Sequence, residues 1–165
     1  MAADERIFVG LGANIGDAAA SVRAAATQMS GLPGTALVAV SGLYRSAPLD
    51  AAGPEYVNAV AELRSALEPS ELLAQLHALE LSFGRLRPYR NAPRTLDLDL
   101  LFYGERRVAE PALTLPHPRA HLRAFVLAPL AELAPDWQLA DGRNVTQALA
   151  ALCSDPAQRI QRMSP

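Results

Sequence analysis

Lysine is absent from this sequence of 165 residues, so all 15 basic side chains are arginine. This absence excludes mechanisms that need a lysine, such as Schiff-base chemistry or the lysine of a P-loop. A bound phosphate group must therefore be held by arginine, backbone amides or a metal ion. Cysteine is nearly absent as well: Cys153 stands alone, which excludes an intrachain disulfide and a thiolate metal cluster.

Several other features are missing. No apolar run approaches the roughly 20 residues of a membrane span, so no membrane partner is expected. Acids at Asp4 and Glu5 and the lack of an apolar segment argue against a secretory signal, and with a free thiol they favour the cytoplasm. A net charge of −2 gives no general attraction to nucleic acid. We expect one domain over residues 1–165, and a monomer, because nothing in the sequence indicates an interface.

The apolar patterning predicts the element order β-α-β-β-α-β followed by further helices. The predicted strands cover residues 6–14, 35–44, 56–63 and 93–104, with a short hairpin at about 108–115. The predicted helices cover residues 18–29, 69–83, a stretch after Pro118, and 144–152. This order is typical of a ferredoxin-like α+β fold, an antiparallel sheet with helices on one face. The other face is then open to a ligand.

Two glycine-containing stretches frame the first helix, "GLGANIG" before it and "GLPG" after it. "GLGANIG" lacks the G-x-G-x-x-G spacing of a dinucleotide fingerprint and is interpreted as a tight strand-to-helix turn. Asn14 or Asp17 would cap the helix that follows.

Further along, the segment "RLRPYRNAPR" forms a basic loop from Arg85 to Arg94.

Two acids follow this loop in the stretch "PRTLDLDLLFYG". Residues i and i+2 of a strand share a face, so Asp97 and Asp99 project together while the leucines between and beside them point to the opposite face. Two such carboxylates repel unless a cation lies near them, and oxygen ligands suit Mg²⁺. By itself the pair is also compatible with a solvated strand face paired to nearby arginines.

An aromatic and an amide occupy an earlier strand. In "YVNAVAEL", Tyr56 and Asn58 share one face, while Val57 and Ala59 share the other. An aromatic ring beside an amide suits a flat heterocycle with polar edges. The alternative interpretation is that Tyr56 ends a strand and Asn58 fixes a loop.

These pieces together resemble one family closely, the 6-hydroxymethyl-7,8-dihydropterin pyrophosphokinases of folate biosynthesis. The matching motifs are "GLGANIGD", "YRSAPLD", "GPEYVNAV", "LELSFGRLR", "APRTLDLDLLFYG" and "LPHPRAHLRAFVLAPLAELAPD". They span about residues 7–142. The resemblance implies a ferredoxin-like fold, ATP as co-substrate, two Mg²⁺ ions, and transfer of the β,γ-diphosphate of ATP to the pterin hydroxymethyl group.

The resemblance also implies roles for particular residues. Asp97 and Asp99 would hold the metals, and the catalytic residues would be Arg85, Arg94 and Asp97. The pterin pocket would be formed by Ser46, Leu49, Tyr56, Asn58 and Phe125. Contacts to ATP or support for its site would come from His77, Glu80, Arg87, Leu100, Thr114, His117 and Arg123.

The sequence departs from some members of the family. The basic loop is one residue shorter, and Asn91 stands where others carry a tryptophan. Pro88, Ala112 and Pro118 also replace a basic or an aromatic residue. Two alternatives to the pyrophosphokinase remain open: a non-catalytic sensor of nucleotide or pterin on the same fold, and a two-metal phosphohydrolase.

Overall fold

The computed structural model describes residues 5–47, 54–83 and 96–164. Within these residues the chain forms strands and helices that are numbered here in chain order. The strands are β1 (Ile7–Ala13), β2 (Thr35–Val40), β3 (Tyr44–Ser46), β4 (Tyr56–Ser65), β5 (Asp97–Tyr103), β6 (Val108–Glu110), β7 (Leu113–Leu115) and β8 (Ile160–Arg162). The helices are α1 (Ala18–Met29), α2 (Pro69–Phe83), α3 (Ala124–Leu133) and α4 (Val145–Leu152).

One six-stranded antiparallel sheet organises the fold, in the order β5-β1-β4-β3-β8 with β2 also on β4. The long strand β4 pairs with β3 through residues 56–58 and with β2 through residues 61–65. Strands β2 and β3 therefore lie on the same side of β4, one after the other along its length. The resulting order confirms the ferredoxin-like α+β fold, with the hairpin of β6 and β7 and the last two helices added to it.

Helices α1 and α2 cover one face of the sheet. Their buried side chains, such as Val22 and Leu76, join Val9 of β1 and Ala61 of β4 in one apolar cluster. The carboxylate of Asp17 accepts a hydrogen bond from the backbone N–H of Ala20 at 3.1 Å and so caps α1. This position satisfies a helix N–H that would otherwise have no partner. Of the two predicted caps, Asp17 is the one that the structure contains.

The second face is only partly open, because α3 and α4 pack on it. The alternate strand residues Phe8, Val60 and Phe102 face this second cluster together with Leu127 of α3. A β-bulge in the pairing of β1 with β5 places Leu101 beside Phe102 on this side and returns Tyr103 to the first core. The predicted open face is thus restricted to the ends of the strands around Asp97 and Asn58.

Three local features of the structure differ from what the sequence predicts. The strand predicted at 35–44 is two strands, because Ser41 interrupts it: its hydroxyl accepts the N–H of Val60 at 3.0 Å and donates to the Gly42 carbonyl at 2.8 Å. Gly10 and Gly12 lie within β1, as the strand predicted at 6–14 has them, so the turn interpreted from "GLGANIG" begins only after Ala13. The short strand β8 was not predicted from the sequence.

Among the described residues, no helix combines the length and apolar character needed to cross a bilayer.

Candidate functional site

The open end of the second face forms a pocket of about 420 Å³, here named the central pocket. Four strands and the first turn of α3 surround it. Its described lining residues are Gly10, Leu11, Gly12, Ser46, Ala47, Tyr56, Asn58, Ala59, Asp97, Asp99, Arg123, Phe125 and Val126.

The two aspartates lie at the beginning of β5 and share one face, as the sequence predicts. Asp97 is half-buried and Asp99 is exposed, whereas Leu98 between them is 2% exposed and packs under the helices. Both carboxylates line the central pocket. No group of three or more His, Cys, Asp or Glu suited to a metal is found among the described residues. Any cation here would therefore take part of its coordination from substrate or water, as Mg²⁺ does.

Two glycines form the floor of the central pocket, a role that the sequence analysis missed. Gly10 pairs with Asp99 and Gly12 pairs with Asp97 across β1 and β5. A Cβ at Gly12 would lie 3.3 Å from Oδ1 of Asn58, so this position is tight for any larger residue. The available signal was their i, i+2 spacing in a strand, which puts both on the face of the aspartates.

An amide fixed by a hydroxyl forms one wall. Asn58 is 5% exposed, and its Nδ2 donates a hydrogen bond to Oγ of Ser46 at 2.8 Å. This bond fixes the orientation of the amide, which keeps its oxygen and its second N–H for other partners. Two aromatic residues, Tyr56 of β4 and Phe125 of α3, line the same pocket. The guanidinium carbon of Arg123 lies 5.4 Å from the centre of the Phe125 ring.

A second pocket of about 230 Å³, here named the adjoining pocket, shares Asp99 with the lining of the central pocket. Asp99 is the residue that lines both. The described lining of the adjoining pocket is Leu73, Leu98, Asp99, Leu100, Pro111, Ala112, Leu113, Thr114, His117 and Pro118. Three residues predicted on the ATP side, Leu100, Thr114 and His117, are brought together here.

His117 is held in one orientation by its backbone and its ring. The backbone N–H of His117 donates to the carbonyl of Leu101 at 2.9 Å, and the ring Nδ1 accepts the backbone N–H of Arg119 at 3.1 Å. Burial lowers the pKa of His117; the Asp99 carboxylate opposes this shift, while Arg123 and Arg119 add to it. A neutral ring whose Nδ1 accepts a hydrogen bond carries its proton on Nε2, so His117 can donate from that atom.

Two predicted residues of α2 have different surroundings. Glu80 accepts a hydrogen bond from the backbone N–H of Leu98 at 2.8 Å, which fixes β5 between the two aspartates. His77 is exposed and is not among the described residues that line either pocket. The predicted site residues Leu49, Arg85, Arg87 and Arg94 lie outside the described residues.

A ferredoxin-like sheet with two pockets that share Asp99 in their linings places the protein in the class of small α+β proteins with room for two ligands. The comparison of sequences is more specific. The sequence model of the family described as 7,8-dihydro-6-hydroxymethylpterin-pyrophosphokinase (HPPK) matches residues 8–135. The chain belongs to this family.

Curated relatives agree with this membership. A protein of Pseudomonas aeruginosa named 2-amino-4-hydroxy-6-hydroxymethyldihydropteridine pyrophosphokinase is 47% identical over 160 residues, which cover 96% of this chain and 97% of the relative. A relative of the same name from Methylorubrum extorquens is 39% identical over 157 residues, covering 94% of this chain and 99% of its own length. A third, from Synechocystis, is 46% identical over 129 residues, covering 78% of this chain and 66% of the relative.

Solved structures share the fold. An HPPK-DHPS crystal structure from Plasmodium falciparum has a TM-score of 0.73 at 12% identity and covers 90% of this chain. The wild-type HPPK-DHPS of the same organism has a TM-score of 0.70 at 10% identity and covers 95% of this chain. This chain spans 45% and 44% of those two longer chains, and identities this low show the fold alone.

Proposed function

We propose that this chain transfers the pyrophosphoryl group of ATP to the hydroxymethyl oxygen of 6-hydroxymethyl-7,8-dihydropterin, giving AMP and the pterin diphosphate in folate biosynthesis. Membership of the HPPK family supports the reaction. The structural observation that best supports this reaction is the position of Asp99, which lines both pockets. A nucleotide in one pocket and an acceptor in the other would both lie beside this carboxylate.

The central pocket is proposed to bind the pterin. Tyr56 and Phe125 offer aromatic faces to a flat ring, and the fixed amide of Asn58 offers a donor and an acceptor to its polar edge. Ser46 supports Asn58 through their hydrogen bond of 2.8 Å. Leu49 is proposed to belong to the same pocket.

The adjoining pocket is proposed to bind ATP. Leu100, Thr114 and His117 line it, and a proton on Nε2 of His117 can be donated to a phosphate or ribose oxygen. Arg123 lines the central pocket rather than the adjoining one, and is proposed as a cation for the phosphates. His77, Glu80 and Arg87 complete the proposed set, with Glu80 acting through the backbone of β5.

Asp97 and Asp99 are proposed to hold two Mg²⁺ ions. The donor set fits, because two carboxylates share one face over a glycine floor and leave room for phosphate oxygens and water. When bound, Mg²⁺ neutralises charge on the transferred phosphates and on the leaving AMP.

The chemistry requires alignment rather than a covalent intermediate on the protein. The hydroxymethyl oxygen forms a bond to the β-phosphorus while the bond from that phosphorus to the α-phosphate oxygen breaks, and AMP leaves. Asp97 lines the central pocket but not the adjoining pocket, so we assign it to the acceptor side, where its carboxylate can receive the hydroxyl proton. Arg85 and Arg94 are proposed to meet the phosphates as negative charge develops and to help exclude water.

We also propose that residues 1–165 form a single pyrophosphokinase domain that acts as a monomer in the cytoplasm, without a nucleic-acid or membrane partner. The net charge of −2 supports the absence of a polyanionic partner.

The test is an incubation of the protein with Mg-ATP, with and without the hydroxymethyl dihydropterin, followed by separation of the nucleotides. We expect AMP only when the pterin is present. ADP with free phosphate would identify a phosphohydrolase, and unchanged ATP with measurable pterin binding would identify a sensor. Either result would overturn the proposal.

A further inference from the structure

The C-terminal segment 156–163, here named the C-terminal clamp, holds one wall of the central pocket. Its strand β8 pairs with β3, so that Ile160 lies opposite Ser46 and Arg162 opposite Tyr44. The N–H of Met163 extends this pairing by donating to the carbonyl of Leu43 at 2.8 Å. Ser46 is the residue that orients Asn58, so the clamp supports this wall from the side opposite β4.

The same segment holds the helix that forms the opposite wall. Arg123, the residue before α3, is extended and makes no side-chain capping hydrogen bond. The cap comes instead from Gln158, whose Oε1 accepts the backbone N–H of Ala124 at 2.9 Å. This bond fixes the first turn of α3, which presents Phe125 and Val126 to the central pocket.

The far end of α3 is tied to the clamp as well. The carboxylate of Glu132 accepts hydrogen bonds from Nε of Arg162 and from the backbone N–H of Gly42, each at 3.0 Å, and from the hydroxyl of Tyr44. The Arg162 guanidinium lies so close to Gly42 that a Cβ there would be 2.6 Å from Nη2. Strand β3 and helix α3 are therefore joined to one another through the C-terminal clamp.

We propose that the C-terminal clamp sets the spacing between the two walls of the pterin pocket, and that Gln158 is its positioning residue. The proposal rests on the proposed function for its substrate. The clamp lies beyond residue 135, where the match to the family model ends, so the match assigns it no role. Gln158 acts through α3 rather than by touching the substrate.

The test compares Gln158→Ala with Gln158→Glu, which keeps an acceptor oxygen, and with Gln161→Ala. Gln161 is an exposed residue of β8 that pairs with Arg45 of β3 through its backbone. We expect Gln158→Ala to raise KM for the pterin roughly three- to tenfold. This factor corresponds to the free energy that is lost with a helix N-cap. KM for ATP should change less, because Leu100, Thr114 and His117 lie on segments that Gln158 does not contact, and of the described residues proposed for ATP only Arg123 adjoins the capped residue Ala124. Gln158→Glu and Gln161→Ala should behave like the unaltered protein.

Hydrogen exchange of the backbone amides of residues 124–126 gives a second readout that needs no substrate. We expect faster exchange in Gln158→Ala than in Gln161→Ala, with restoration in Gln158→Glu. Gln158→Met, which keeps length and removes the acceptor, makes the same comparison if the alanine variant does not fold.

Equal pterin KM values for Gln158→Ala and Gln161→Ala would overturn the proposal for the clamp. Equal hydrogen exchange of residues 124–126 in these two variants would also overturn it. A parallel rise of KM for both substrates would also overturn it, because that pattern reports a general loss of structure. If the unaltered protein makes no AMP, the proposed function fails, and unchanged exchange in Gln158→Ala would then be a separate failure of the clamp.

Discussion

At the scale of single residues, the carboxylate pair depends on the alternation of one strand. Leu98 and Leu100 are buried under the helices, and this burial forces Asp97 and Asp99 to the other face. Gly10 and Gly12 opposite them carry no side chain that would fill the space above the sheet. The residue pattern thus fixes the direction of both acids before any ligand binds.

We predict that Asp97→Asn and Asp99→Asn each lower turnover on the order of hundredfold or more, because each removes a negative charge proposed to hold Mg²⁺. Pterin-dependent AMP formation at several Mg²⁺ concentrations measures the effect. Asp136→Asn is the matched control, since Asp136 is exposed and lines neither the central nor the adjoining pocket. Near-normal turnover of both altered proteins would contradict the metal role.

Glu62 shows a different use of a carboxylate. It is 5% exposed and accepts two hydrogen bonds from Arg6, at 2.9 and 3.0 Å, and one from Arg64 at 2.8 Å. The hydrogen bonds from Arg6 lower its pKa, burial opposes that shift, and Arg64 lowers the pKa further. A carboxyl with a lowered folded pKa stabilises the protein above its unfolded pKa of about 4.3 and loses this contribution as pH falls through the folded pKa.

We predict that Glu62→Gln lowers the free energy of unfolding at neutral pH by about 1–3 kcal/mol, less than for a fully buried pair because both arginines are partly exposed. The difference from the unaltered protein should begin to shrink as the pH falls below the unfolded pKa of about 4.3, and should vanish below the lowered folded pKa of Glu62. Denaturant unfolding at several pH values measures this. Glu110→Gln, an exposed change in β6, should show no such trend, and a pH-independent loss in Glu62→Gln would refute the assignment.

At the scale of elements, helix α3 decides how much of the sheet remains open. It packs over Val60 and Phe8 on the face opposite α1 and α2, and its first turn borders the central pocket. Helix α4 packs against α3 in the same cluster. The position of the pocket wall therefore depends on elements that follow the ferredoxin-like core in the sequence.

Asn144 tests the contribution of α4. Its side chain accepts the N–H of Gln147 at 2.8 Å, and the Gln147 side chain accepts the N–H of Asn144 at 3.0 Å, forming a capping box. We predict that Asn144→Ala costs about 0.5–2 kcal/mol of stability, or roughly 2–4 °C in Tm per kcal/mol. Asn144→Asp keeps the acceptor and should melt like the unaltered protein. Equal melting of the alanine variant would show that the box adds nothing.

At the scale of the whole molecule, the described surface has few large exposed apolar side chains. They are Val38 and Val40 on β2, Leu81 on α2 and Leu122 in the turn before α3. Among the described residues, β2 pairs only with β4, so its outer edge is open. Two valines on a short edge offer far less than the roughly 800 Å² per partner of a stable dimer.

We predict a solution mass of about 17.6 kDa for the folded protein by sedimentation equilibrium. The expected value should not change with protein concentration or on the substitution Val38→Lys. A mass near twice this value would contradict the monomer, and its loss in Val38→Lys would locate the contact on the edge of β2.

Much of the core was predictable because its signals are local. The stripe of Leu72, Leu76 and Leu79 and a proline in the first turn predicted α2 at residues 69–83, and the structure has this helix. The stripe from Ala18 to Met29 likewise predicted α1. Each depends on neighbours one turn apart, which the sequence contains directly.

Other features depend on partners distant in the sequence. Ser41 interrupts a strand because its hydroxyl accepts a hydrogen bond from the backbone N–H of Val60. Gln158 caps a helix that begins at Ala124. The three residues of β8 form a strand only because β3 is available beside them. A short polar tail carries no periodic pattern, so it could not be predicted from its own residues.

The sequence by itself determined the family, the order of the core elements and the shared face of Asp97 and Asp99, since alternation and motif spacing act over a few residues. Only the tertiary structure decided that α3 and α4 close part of the open face, that Gly10 and Gly12 form the pocket floor, and that Asp99 borders two pockets. The physical reason is the range of the interactions. A strand's periodicity orients its own side chains, whereas the shape of a pocket depends on which distant segments pack around them.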